Sequence, residues 1–300
     1  MNLSSKSLIW STVAILLLLS ILTPLSALSA FLIMTPMVVL FTMLKPKAFV
    51  LHMIPILLLA FLLSGAFGVV VIALAIFFLV PSIFMGKQYK KGAPARKVIV
   101  HGFIAILALL LLELALFAWQ FDVNLTTELS NWLRDALQQF DTQRMLKEGW
   151  ESKYANAIVT ALPMILLMSA AMFAIITHAI ARRALRTVDI HVEGMPQAHT
   201  WQLPRSIVTY YLIAVISSFF MTEESSGFWD LAITNLLPIL QMLFIVQAVG
   251  FVFFLAHEKK WSKIAPLLLC IPLILYPPLF IIGLLDMAFP LRRLITNKSK

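Results

Sequence analysis

The strongest constraint on this chain is a series of continuous apolar runs of about twenty residues, parted by short basic loops. The hydrocarbon core of a bilayer is about 30 Å thick, and a helix rising 1.5 Å per residue crosses it in about 20 residues. No water in that core can satisfy backbone N–H and C=O groups, so spanning segments are helices or closed barrels. Barrel strands would alternate apolar and polar residues, and these runs do not. Only 12% of the residues are charged and 61% are hydrophobic, where a soluble domain carries about 25% charge. The expected fold class is all-α, a polytopic transmembrane helix bundle of eight or nine spans with one amphipathic extracytoplasmic helix.

Spans are expected at about 8–28, 31–44, 49–64, 66–85, 98–119, 154–181, 206–221, 231–256 and 264–285. The first run, ahead of Ser26-Ala27-Leu28-Ser29-Ala30, has the outline of a signal peptide. The next apolar run begins at once, so it reads as a retained span. The second is short with Pro36 in its middle, which predicts a bent or partly re-entrant hairpin. Ala60, Ser64 and Gly68 form a four-residue track of small side chains that lets helices approach closely.

Between the blocks, Leu125, Leu129, Trp132, Leu133, Ala136, Leu137 and Phe140 recur at helical spacing, with Glu128, Arg134, Asp135 and Asp141 among them. That pattern is an amphipathic helix, too polar to cross and suited to the membrane surface. Three segments follow from these boundaries: a five-span bundle over 1–119, the amphipathic segment 120–153, and a four-span bundle over 154–300 with a polar loop at 182–205.

The net charge of +9 does not mark a nucleic-acid binder, because the basic residues lie mostly in short loops where they act as topology signals. Of the 23 lysines and arginines, Arg134, Arg144, Lys147 and Lys153 lie in 120–153, and Arg292, Arg293, Lys298 and Lys300 in the tail. The other fifteen fall in segments that a cytoplasmic N-terminus places on the cytoplasmic side. Nine crossings would put the basic tail outside. Either the second hairpin or the proline-rich last span then fails to cross fully, or the tail is an exception.

Glu113 is the one acid well inside an expected span. Insertion of Asp, Lys or Arg at a helix centre costs about 2.5–3.5 kcal/mol, so such groups are usually functional or paired. Glu113 is therefore a candidate substrate or cation site facing the bundle interior, with Asn235, Gln241 and Gln247 as further candidate lining. The alternative for the three amides is interhelical hydrogen bonding. Arg182, Arg183, Arg186 and Arg205, with Trp201, form a candidate surface for lipid or a protein partner, since guanidinium forks grip phosphate bidentately. His257-Glu258-Lys259-Lys260-Trp261 starts like a zinc helix but has Trp261 where the second His belongs. His191-Val192-Glu193 has no cysteine pair to complete a deaminase site, and Cys270 stands alone in the chain. No catalytic residue, metal or cofactor is expected, and the chain reads as a non-enzyme.

Several landmarks carry a family resemblance. Arg182-Arg183 followed by Trp201-Gln202-Leu203-Pro204-Arg205-Ser206, then Asn235, Gln247-Ala248-Val249-Gly250, Gly283-Leu284-Leu285-Asp286 and Arg292-Arg293 resemble the YybS-type family of bacterial membrane proteins. Pro24, Thr35-Pro36 and the basic loop after Gly86 extend the resemblance over the N-terminal half. The resemblance implies an integral membrane protein of Gram-positive, spore-forming bacteria. Its N-terminal half is similar in organisation to the S components of energy-coupling-factor transporters and to the rod-shape protein MreD. That implies a small-molecule transporter or transporter subunit. The family's association with cyclic-di-AMP phosphodiesterase genes implies instead a membrane scaffold or regulator.

Overall fold

The computed structural model describes residues 3–121, 125–139, 149–220, 227–262, 264–289 and 291–298. Among them are thirteen α-helices and three short 3-10 turns, and no strand. The chain divides into two compact units, residues 1–125 with 166–195, and residues 126–165 with 196–300.

The first unit opens with α1 (Leu3–Ser20), α2 (Ser26–Met43) and α3 (Pro46–Leu63). A 3-10 turn at Gly65–Phe67 leads to α4 (Gly68–Lys90) and α5 (Ala95–Phe121). The bent second hairpin is corrected here: α2 runs unbroken through Pro36. Residues 33–42 are buried on every face, as in a helix enclosed by neighbours. Its start is held by the hydroxyls of Ser20 and Ser29, 2.6 Å apart. The small-residue track is partly realised. Ala60 and Gly68 are buried, and the Ser64 hydroxyl donates to the Ala60 carbonyl.

The amphipathic helix is α6 (Leu125–Gln138), with Leu129, Leu133, Ala136 and Leu137 half-buried and Trp132 exposed. Phe140, Asp141, Arg144, Lys147 and the acidic pair Glu223-Glu224 lie outside the described residues. The expected span 154–181 is interrupted at Ala161, giving α7 (Trp150–Thr160) and α8 (Leu162–Arg186). Pro163 lacks the N–H that would continue the ladder.

From Leu166 on, α8 belongs with the N-terminal helices, a division different from the expected break between 119 and 154. The reason is packing. The Phe173 ring stacks on Phe31 at 4.6 Å, and a Cβ on Gly102 would stand 3.4 Å from Ala174. The Tyr89 hydroxyl and His178 Nδ1 are 2.8 Å apart in the buried interior.

The second unit continues with a 3-10 turn at Ala198–Thr200, α9 (Ser206–Ser218) and α10 (Phe228–Glu258). The last expected span is α11 (Ala265–Leu275), a turn at Pro277–Leu279 and α12 (Phe280–Ala288), followed by α13 (Leu291–Lys298). Among the described residues, six helices are long and apolar enough to cross a membrane: α2, α3, α4, α5, α8 and α10. The pair α11–α12, bent by 118°, makes a seventh if it is one span. The other two expected spans fall on shorter apolar helices, Ser5–Ser20 and Ser206–Ser218. Thirteen residues reach about 20 Å, less than the ~30 Å core.

Candidate functional site: two basic ends and a buried ion pair

In the first unit, side-chain contacts gather the basic segments at one end. Lys6 Nζ bonds Asp189 at 2.8 Å, joining the start of α1 to the segment after α8. That ammonium, as hydrogen-bond donor and as neighbouring charge, holds the Asp189 carboxyl below its ordinary range. Ser7 and His52 Nε2 are 3.1 Å apart, which brings in the start of α3. Lys90 Nζ donates to the Leu44 carbonyl at 2.6 Å and lies over the Phe41 ring, tying the end of α4 to the end of α2. The Tyr89–His178 contact adds the end of α8. Lys87, Lys91, Arg96, Lys97, Arg183 and Arg186 stand exposed around these ties. Arg183 and Arg186 lie in the last turn of α8, where cations suit the helix dipole. Arg182 differs from its neighbours: its Nε donates to the Val192 carbonyl, and its guanidinium covers Gly194, where a Cβ would overlap Cζ.

In the second unit, Asn235 repairs the interruption between α7 and α8. Its Nδ2 donates to the Thr160 carbonyl at 2.9 Å and its Oδ1 accepts from the Met164 N–H at 3.2 Å. Those two groups are the i and i+4 partners of one helical turn, so the amide is spliced into a missing hydrogen bond. Asn235→Leu would orphan both in an apolar setting. About 1–3 kcal/mol of destabilisation is expected, read as a lowered unfolding midpoint of the detergent-purified protein.

The centre of this unit is a buried ion pair. Gly283 sits against the backbone of Phe244, so close that a Cβ would overlap the Phe244 carbonyl oxygen and stand 2.7 Å from its carbon. Three residues on from each, Asp286 and Gln247 meet, and Gln247 Nε2 donates to Asp286 Oδ2. Arg292 closes on the same carboxylate, with Nε at 3.1–3.2 Å from both oxygens and Nη2 at 2.9 Å from Oδ2. The remaining Nη1 donates to the His199 carbonyl at 3.1 Å, and the guanidinium lies over the Phe254 ring.

The same cluster holds the 196–205 loop. Gln247 Oε1 accepts from the Leu203 N–H at 2.9 Å. Trp201 Nε1 donates to the Pro196 carbonyl, and Trp201 packs over Gly250, where an added Cβ would be 3.2 Å away. The His199 ring stacks on His257, at the last turn of α10, with centroids 4.2 Å apart.

These contacts decide where the tail lies. His257 and Arg292 meet at one loop residue, so the chain leaves the end of α10 and returns to it through α11 and α12. The proline-rich last segment therefore turns back on itself at its 118° bend, and the basic tail shares an end with the 196–205 loop. A polar cavity of about 270 Å³ opens beside the ion pair, lined among others by Gln202, Arg205, Gln247, Asp286, Arg292 and Arg293.

The residues expected from the sequence are thus dispersed. Gln247 and Arg205 line this cavity, and Trp201 anchors its loop. Asn235 is committed to the backbone, and Gln241 is half-buried. Glu113 does not face an interior. On α5 the buried positions are Ala95, Val98, Gly102 and Ile106, and the half-buried Leu110 and Leu114 continue that stripe. Glu113 lies one residue off it and is exposed.

Asp286, Arg292, Arg293, Gln202 and His199 were not among the expected site residues. A signal existed: an acid at the end of the last apolar run, with two arginines six and seven residues on. Six is not a helical contact spacing. The pair forms because Phe289, which precedes a proline, is extended and turns the chain back.

The comparisons agree with this picture of a membrane protein. A family described as "Predicted membrane protein (DUF2232)" matches residues 11–287. The chain is 25% identical over 234 residues to the "Uncharacterized protein YybS" of Bacillus subtilis (strain 168), covering 72% of each sequence. No solved structure matches. An apolar multi-helix chain with these landmarks, matched over nearly all its length, belongs to the DUF2232 family of predicted membrane proteins, of the YybS type.

Proposed function

We propose that the protein is a non-transporting, non-enzymatic membrane scaffold or regulator that docks an acidic protein partner at its basic end. The observation supporting this is the convergence of Lys6, the 87–97 loop and the end of α8 at one end of the first unit. Exposed charges there exceed what the internal ties use. By the bias of Lys and Arg toward the cytoplasm, this end and the N-terminus face inward across the cell membrane. The outer surface of the spans contacts lipid.

The test is site-specific photo-crosslinking from positions 183 and 186 in cells. A discrete adduct with an acidic partner is expected, lost in the Lys91→Glu, Arg96→Glu double variant, while Glu113→Gln changes nothing. A phenotype abolished by Glu113→Gln and untouched by the charge reversals overturns the proposal.

A small-molecule transporter or transporter subunit like an S component is the second reading. The sharply bent α11–α12 pair favours it, because broken helices in membranes commonly line substrate sites. Against it stand the exposure of Glu113 and the commitment of the Asn235 and Gln247 amides to groups of the protein itself.

A further inference from the structure

We infer that the cavity beside the Asp286–Arg292 pair binds a phosphate group carrying two negative charges, on a lipid headgroup or free in solution. The site uses none of the first unit's residues and stands whether or not the docking proposal does.

The charge of the cavity is the first argument. Asp286 would repel an anion if it were unpaired, but both its oxygens already accept hydrogen bonds from Arg292 and Gln247. That leaves Arg205 and Arg293, two further guanidinium groups lining the same cavity. Neither makes a hydrogen bond or ion pair with another described residue. Their combined charge matches a dianion, and each fork suits two oxygens of a tetrahedral phosphate. The Gln202 amide on the same wall adds a donor, and it too has no partner among the described residues.

The second argument is rigidity. The loop bearing Gln202 and Arg205 is fastened by the Leu203–Gln247 bond, by the Arg292 bond to the His199 carbonyl and by Trp201. A site held in place before binding loses less entropy on taking its ligand.

Size and lining narrow the ligand further. About 270 Å³ lies just below the usual ~300–1,000 Å³ of ligand pockets, enough for a phosphate with a few attached carbons and too small for a dinucleotide. Leu203, Met287 and Phe289 supply apolar wall for those carbons. The cavity shares its end of the unit with exposed Lys259 and Lys260, the setting in which basic groups meet anionic headgroups.

The test uses the full chain in phosphatidylcholine nanodiscs. Inorganic phosphate is titrated calorimetrically in one arm. In the other, nanodiscs containing phosphatidic acid are examined by native mass spectrometry for retained lipid. Saturable one-to-one binding is expected in at least one arm, weakened at least tenfold by Arg205→Gln and by Arg293→Gln. Binding should be partly retained in Arg205→Lys and Arg293→Lys, and unchanged in Arg183→Gln. A phosphate response identifies the free anion, and phosphatidic acid retention alone identifies the lipid. Failure of both arms, or wild-type binding by both glutamine variants, overturns the inference. Failure here with intact crosslinking at 183 and 186 leaves the docking proposal standing, and the reverse pattern leaves this site standing.

Discussion

Arg292→Ala is expected to destabilise the second unit by about 3–5 kcal/mol, the range for removing one partner of a buried ion pair. The size follows from what remains. Asp286 is 1% exposed at its side chain and would be left with the Gln247 amide alone. The same change frees the His199 carbonyl and uncovers the Phe254 ring. Thermal unfolding in detergent should show the loss, and proteolysis should cut the 196–205 loop faster, because Arg292 is one of its fastenings. The double variant Asp286→Leu with Arg292→Leu should be less damaging than either single change, since it leaves no charge behind. Additive losses would mean that the pair is not a unit.

Gly283→Ala is the other large effect. One methyl group is normally a small insertion, and overpacking typically costs about 1–3 kcal/mol. Here the methyl meets the Phe244 carbonyl, a backbone atom with no rotamer to change. The helices must separate, so the cost is expected at or above the ~3 kcal/mol end of that range. The separation also draws Asp286 away from Gln247, so the loop at Leu203 should loosen along with the helix crossing. Loss of stability with full protection of residues 196–205 from proteolysis would contradict this coupling. Gly250→Ala serves as the milder comparison, because its nearest neighbours stand 3.2–3.4 Å away.

Most of the helices were legible because their signal is local. Continuous apolar runs, the helical spacing of Leu129, Leu133 and Leu137, and the clustering of Lys and Arg in short loops need no knowledge of neighbours. The site was less legible. Glu113 drew notice as an acid in an apolar run, yet the turn of α5 carries it to the outside. Asn235 and Gln247 read from the sequence as cavity-lining or interhelical amides, but their partners lie 71 and 44 residues away, at Met164 and Leu203.

The sequence by itself determined that this chain is a membrane helix bundle, where most of its apolar helices fall and which loops carry positive charge. The reason is that each follows from hydrophobicity along a single helix. The tertiary structure decided that the last segment turns back, that Arg292 meets Asp286 and that three arginines share one cavity. Those facts depend on an extended residue at Phe289 and on a glycine that lets two helix backbones nearly touch, and neither is visible in a run of apolar letters.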